Sequence, residues 1–321
     1  MQTTPAGKTD KNFYRFFRSL MIFLLIVGLL DFGIGNCLRY FFFKQESGLL
    51  YRSTFAMEKT TASVLILGSS RANHHYTPEV FEKRLHLSFY NAGRDGNFLF
   101  YHYAVLKSVL KRYKPKIVIL DFRNAEFLKD KNKYDRLSSL LPYYRTHPEI
   151  RAIVELKSHY EKLKLLSSIY PFNSLLFTIA VGNTEFNKKR KEDIKGYVPL
   201  NNIWNRPIQK DTINLYPTDS LEIKIFESFV KDCVNANVKL YVICSPYFID
   251  FQNSDYSIKI GKAIADQNNV TFLDYSRDSL FKNNPTLFSD MSHLNNEGAI
   301  KFSNIIVDKI TNDMQLSSIR R

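Results

Sequence analysis

Cysteine is scarce in this chain of 321 residues: Cys37, Cys233 and Cys244 are all there is. No CxxC pair and no His/Cys pair at ligand spacing occurs, which argues against a zinc framework or a disulfide-built scaffold. Cys233 and Cys244 flank and end an apolar run, the usual place of buried free thiols, although an exported protein could pair them. Acidic residues are also in deficit, with 31 Asp and Glu against 45 Lys and Arg and a net charge of +14. The basic residues are scattered except for Lys188, Lys189, Arg190 and Lys191. That run reads as a solvated face, or more sharply as attraction to a polyanion or an anionic membrane surface. No nucleic-acid motif accompanies the charge, and the 26 Phe and 19 Tyr fall mostly in apolar segments, so nucleic acid is not an expected partner. There is no internal repeat and no low-complexity tract.

What is there begins with a composition, 45% hydrophobic and 24% charged, able to build a sizeable globular core. Residues 1–18 form a basic tail, with Lys8, Lys11, Arg15 and Arg18 against Asp10. Residues 19–38 follow as an apolar segment whose stretch from Leu20 to Leu38 reaches ~28 Å as a helix, close to the hydrocarbon thickness of a bilayer. Asp31 and Asn36 lie in its outer half. The basic flank predicts a single-pass anchor with a cytoplasmic N-terminus and everything after it outside, although Arg39, Lys44 and Arg52 on the far side weaken that orientation. A cleaved signal peptide is the competing reading, without a small-x-small cleavage site to support it. Residues 39–60 read as an aromatic, then polar, linker.

From residue 61 to 321 strand-like and helix-like patterns alternate. The predicted strands are Val64–Leu67, Leu87–Tyr90, Lys116–Asp121, Val238–Cys244 and Val270–Asp274. The predicted helices are Pro78–Leu85, Leu99–Tyr113, Ser220–Ala236, Tyr256–Asn268 and a last one from about Asn295 to Thr311. Alternation of this kind predicts an α/β fold, a three-layer α/β/α sandwich around a parallel, flavodoxin-like sheet of five strands. A largely helical insertion, about residues 125–218, is expected between strands three and four, with helix-like runs at Glu149–Leu166 and Ser167–Ala180. It reads as a cap or partner surface over the edge of the site.

The chain is organised around SVLILGSSRANHH, Ser63 to His75. A buried strand closed by Gly68 would leave Ser70 exposed at the strand tip, where α/β sheets place their chemistry. A serine hydroxyl needs a base, itself oriented by a third group. The far end of the chain offers His293 as base and Asp290, three residues earlier, to hold its tautomer. His74 and His75 have no third ligand at metal spacing, so a substrate contact or a helix-entry role is expected for them, and no metal or other cofactor is. Arg71 could contact a polar or anionic substrate group or pair with a local carboxylate. His102 reads as a packed histidine, Asp121 as structural or as a partner of Arg123, and Ser245 with Pro246 as the rim of the site.

These blocks resemble the SGNH (GDSL-like) hydrolase superfamily. Gly68 to Ser70 stands where that family has Gly-Asp-Ser, with Ser69 in place of Asp. The family's second block is a glycine donating to an oxyanion hole, matched here within NAGRDG by Gly96 in preference to Gly93. Its third is an asparagine after strand three, matched by Asn124 without the usual Gly-x-Asn-Asp surroundings. Its fourth, Asp-x-x-His, is matched by Asp290 and His293. The resemblance covers roughly residues 61–124 and 238–312. It implies a Ser70, His293, Asp290 triad with an oxyanion hole from Ser70, Gly96 and Asn124. With the anchor, it implies a membrane-bound esterase or O-acyltransferase acting on an envelope polysaccharide or lipid. Transfer would require a membrane partner, such as a multi-pass acyltransferase, to deliver the acyl group. The alternative is a non-catalytic protein that keeps the fold to bind glycan or scaffold an assembly complex.

Overall fold

The computed structural model describes residues 7–184, 193–206, 217–249 and 255–319. The basic run from Lys188 to Lys191 lies outside the described residues. Five parallel strands form one sheet: β1 (Val64–Gly68), β2 (Phe89–Asn91), β3 (Ile117–Asp121), β4 (Lys239–Cys244) and β5 (Thr271–Asp274), in the order β2-β1-β3-β4-β5. β1 pairs in parallel with β2 on one side and β3 on the other, with Ile66 beside Asn91 and Gly68 beside Asp121. The strand order therefore reverses at β1, and a crevice opens at its carboxyl end, where open α/β sheets hold ligands.

Side-chain alternation divides the core into two layers. Leu65, Leu67, Val118, Leu120, Leu240 and Val242 face α5 (Leu99–Arg112), α10 (Ser220–Asn235) and α11 (Asp255–Gln267). Val64, Ile66, Ile117, Ile119, Tyr241 and Ile243 face α3 (Ser70–His75), α4 (Pro78–Leu85) and α12 (Asn296–Ile319). Both faces are covered, so the strands read as unbroken apolar runs. Local signals set the helix ends. Pro78 follows Thr77 at the start of α4, His86 closes it at φ 54°, and the Asp219 carboxylate accepts the Leu221 and Glu222 N–H groups at the start of α10.

Two expectations change. Residues 39–60 are not a linker: α1 (Gly7–Phe43) continues unbroken through Phe43, and α2 (Gly48–Thr54) leads into a π-helical turn, Phe55–Lys59. The aromatic and apolar residues of this stretch are the reason, since Phe42, Leu50, Ala56 and Met57 are buried in the domain's own core. Thr54 and Tyr143 share a hydroxyl–hydroxyl hydrogen bond of 2.7 Å across it. The insertion is helical but broken into short turns: α6 (Lys131–Asp135), α7 (Arg151–Glu155), α8 (Glu161–Lys164), α9 (Leu176–Gly182) and 3-10 turns at Arg136–Tyr143, Pro148–Ile150 and Tyr170–Leu175. Pro148 and Pro171 start new turns. Ser167, with Ser168 and Ile169, interrupts the second predicted run by giving its hydrogen bonds to Asp31 of α1.

Candidate active site

β1 ends in a turn that only glycine fits. Gly68 has φ +142°, and a Cβ there would come within 2.9 Å of both the Asp121 Cβ and its carbonyl oxygen. The chain then passes through Ser69 in extended conformation, and Ser70 becomes the first residue of α3, partly exposed at the crevice.

The second half of the site is a tight turn before α12. Phe288 and Leu294 form an isolated antiparallel bridge, and the Ser289 N–H donates to the His293 carbonyl at 2.8 Å. Within that turn Asp290 Oδ1 accepts the Ser292 and His293 N–H groups at 2.8 and 3.0 Å. The His293 ring meets the same carboxylate, Nδ1 lying 2.8 Å from Oδ2. A carboxylate only accepts, so the proton is on Nδ1 and Nε2 keeps its lone pair. Nε2 stands 2.7 Å from Ser70 Oγ. Hydroxyl, imidazole and carboxylate are thus joined in one hydrogen-bonded line. Burial works to raise the Asp290 pKa, but the hydrogen bond and charge of His293 and the two N–H groups outweigh it, and the carboxyl lies below its ordinary value.

The two other oxyanion candidates sit on loops that leave the strands flanking β1. Gly96 follows β2 at φ +68°, where a Cβ would come 3.6 Å from the Arg136 guanidinium carbon. Gly93 is the poorer donor, because its N–H is taken by Asn91 Oδ1 at 2.9 Å. Asn124 follows β3 and is buried. Its Oδ1 accepts the Tyr247 hydroxyl at 3.1 Å, which commits the carbonyl end inward and leaves the amide N–H₂ to donate elsewhere.

Arg71 turns into the protein. It is buried, stacks on Tyr247 with Cζ 3.6 Å from the ring centre, donates from Nε to Ser245 Oγ at 3.1 Å, and pairs with Asp121 at 3.6 Å. Of its two sequence readings, the carboxylate pair is the one seen. Arg123 pairs instead with Glu126 at 3.1 Å. His74 lies beside His293, with 5.5 Å between the ring centres. Its Nδ1 donates to the Val198 carbonyl of the insertion at 2.7 Å, and Nε2 lies 3.6 Å from Asp95. His102 is buried away from solvent.

The sequence reading assigns His75 no more than a substrate-contact or helix-entry role and passes over Asp95 and the link between Ser245 and His75. His75 Nε2 accepts the Leu294 N–H at 3.0 Å, so its Nδ1 carries the proton, which it donates to Ser245 Oγ at 2.9 Å. Burial, then the Arg71 charge, holds His75 neutral, well below the ordinary histidine value. The adjacent His-His pair was the available signal, but its two members face different partners. Among the described residues no group of three or more His, Cys, Asp or Glu could hold a metal ion.

No protein-family model matches the chain, and no curated protein matches it. Solved structures do show similarity. One is a protein of Bacteroides fragilis provisionally described as an acylhydrolase, at 13% identity and TM-score 0.40, over 84% of this chain and 99% of that one. Another is a single-substitution variant of an acetyl-xylooligosaccharide esterase from Geobacillus, at 12% identity and TM-score 0.41, over 78% and 94%. A third is a GDSL-like lipase from Bacteroides thetaiotaomicron, at 11% identity and TM-score 0.37, over 77% and 88%.

Proposed function

We propose that this chain is a serine acyl-ester hydrolase or O-acyltransferase that works through a covalent acyl-enzyme. The observation that carries the reading is the 2.7 Å contact between Ser70 Oγ and His293 Nε2, backed by Asp290 on Nδ1. Ser70 Oγ attacks the ester carbonyl while its proton passes to His293 Nε2. The tetrahedral intermediate collapses, its C–O bond breaks, and the leaving alcohol takes that proton. A second hydroxyl, from water or from a sugar, repeats the cycle in reverse and releases the acyl group. Negative charge on the carbonyl oxygen needs fixed donors. The Ser70 and Gly96 N–H groups and the Asn124 amide supply them in this reading.

α1 supports a place of action at a membrane. Lys11–Phe43 contains a window of mean hydropathy 2.1 and is long and apolar enough to cross a membrane. We place the N-terminus on the cytoplasmic side and the domain outside. Its substrates would then be acyl esters of an envelope polysaccharide or lipid, and a transferase would draw its acyl group from a multi-pass membrane partner.

The test is labelling of the full chain by a fluorophosphonate probe, followed by incubation with an aryl acetate with and without a glycan acceptor. Labelling that disappears in Ser70→Ala supports the reading. Acyl found on sugar makes the chain a transferase, and free acetate alone makes it an esterase. A folded protein that neither labels nor turns over would favour the scaffold alternative.

A further inference from the structure

Between Arg18 and Arg39 the chain carries one charged side chain, Asp31. It lies eight residues before Arg39, ~12 Å along a helix axis, so a span bounded by those arginines holds Asp31 well inside one leaflet. A carboxylate at that depth has no water to satisfy it and must find its donors in protein. The structure supplies them from the insertion: Ser167 Oγ at 2.5 Å, the Ser168 N–H at 2.6 Å and the Ile169 N–H at 3.3 Å. Contact at this level is close. Gly35, one turn on, faces Ser168 so tightly that a Cβ would come within 2.3 Å of the serine Cβ.

The segment that delivers these donors therefore stands at the depth of Asp31, and its outer side is apolar. Leu163 and Leu166 are 65% and 74% exposed, Tyr160 is 64% exposed, and Leu166 directly precedes Ser167. On α1 the neighbouring Leu29, Leu30, Phe32 and Ile34 are exposed as well, so the two surfaces continue one another. Lys162, exposed and paired with Glu155 at 3.2 Å, has a stem long enough to carry its ammonium toward headgroups.

We propose that the segment from Tyr160 to Ile169 is seated in the bilayer leaflet on the domain's side, with Leu163 and Leu166 against acyl chains and Asp31 capped beneath them. The proposal rests on the reading of α1 as a membrane span. It makes this part of the insertion a shallow second membrane contact, while Val198, later in the same insertion, stays beside His74.

The full chain reconstituted in phosphatidylcholine vesicles tests it, using lipids brominated high or low on the acyl chain to quench tryptophan. The parent's single Trp204, buried in the domain, gives the unquenched baseline. Leu24→Trp reports on α1, and Leu163→Trp and Leu166→Trp report on the segment. Expected is loss of most of the added fluorescence in all three variants, with deep bromines more effective for Leu24→Trp and shallow ones for the other two. Quenching in Leu24→Trp alone, with the Leu166→Trp emission red-shifted and open to iodide, overturns the seating and leaves the span standing. No quenching in any variant removes the span and the seating together. A blue-shifted Leu166→Trp emission that ignores brominated lipid and changes on dilution assigns the surface to a second copy, which also overturns the proposal.

Discussion

His75 Nε2 accepts the Leu294 N–H at 3.0 Å, so a residue five positions after Ser70 grips the neighbour of His293. Ser245 Oγ holds the other ring nitrogen, and Arg71 holds Ser245. The distance between the Ser70 hydroxyl and the His293 ring is thereby held through α3 and the end of β4. Replacing His75 by Ala leaves the Leu294 N–H without its buried acceptor and lets the His293 turn drift. A misplacement of ~1 Å at reacting atoms costs on the order of 10²-fold in rate. His75→Ala is expected to lower kcat toward aryl acetate by about that factor with KM little changed. His75→Gln, which keeps an acceptor, should recover part of the loss. Equal kcat in His75→Ala and parent would show that the turn holds His293 unaided.

Asp290 is the exposed member of the line, its side chain 54% accessible. Removing its charge should therefore disturb catalysis far more than folding. In Asp290→Asn the side-chain amide can donate to Nδ1, which favours the tautomer with the proton on Nε2, the wrong nitrogen for a base. A fall in kcat of ~10³–10⁴ is expected, with the thermal midpoint nearly unchanged. A loss of less than about tenfold would mean that His293 is oriented by its backbone alone.

Asn124 and Tyr247 form a donor-and-support pair. Asn124→Ala removes a proposed oxyanion donor and should cost ~10²–10³ in kcat, with KM near the parent value. Tyr247→Phe keeps the amide and frees only its carbonyl end, so a smaller fall is expected. Steady-state kinetics of the two variants separate donor from support. If Asn124→Ala retains parent kcat, the oxyanion role passes to backbone N–H groups.

Two buried histidines make the fold sensitive to mild acid. Burial chiefly holds His102 down to about 4, and His75 is likewise held well below its ordinary value. In the unfolded chain both take up protons near pH 6.5; in the folded chain they do not. Stability is therefore full above pH 6.5 and falls as pH drops toward 4. For His102 alone the difference is about 3 kcal/mol. Urea unfolding of the detergent-solubilised chain at pH 7 and pH 5 should show this loss, and His102→Leu should flatten it. An unchanged slope in that variant would assign the acid sensitivity elsewhere.

Much of this architecture was legible in the sequence, and for a physical reason. Strands buried on both faces are written as short apolar runs, so β1, β3 and β4 were placed within a residue or so of where they lie. A strand-tip serine and an Asp-x-x-His turn are local patterns, and the sheet needs only to bring them to one edge. What stayed hidden depends on contacts between distant segments. Phe42 and Met57 look like linker residues until Tyr143 and Phe172 supply the rest of their core. The run from Ser167 to Ala180 has helical periodicity, yet its first residues turn to Asp31, which takes the Ser167 hydroxyl and the Ser168 and Ile169 N–H groups. Arg71 and His75 are polar residues whose partners, Ser245 and Leu294, lie far along the chain. No local pattern could have named them.

The unbroken run of α1 into Phe42, and the seating of that ring in the core, has a mechanical corollary. A globule on a loose tether samples a wide hemisphere, whereas one fused to its own stalk keeps a constant stand-off. In the proposed membrane setting Ser70 is then held at a single height above the surface that α1 enters, so reach is fixed by the fold and a substrate must come to that height. Cutting the stalk free with an inserted glycine-serine segment after Phe43 would trade that ruler for reach.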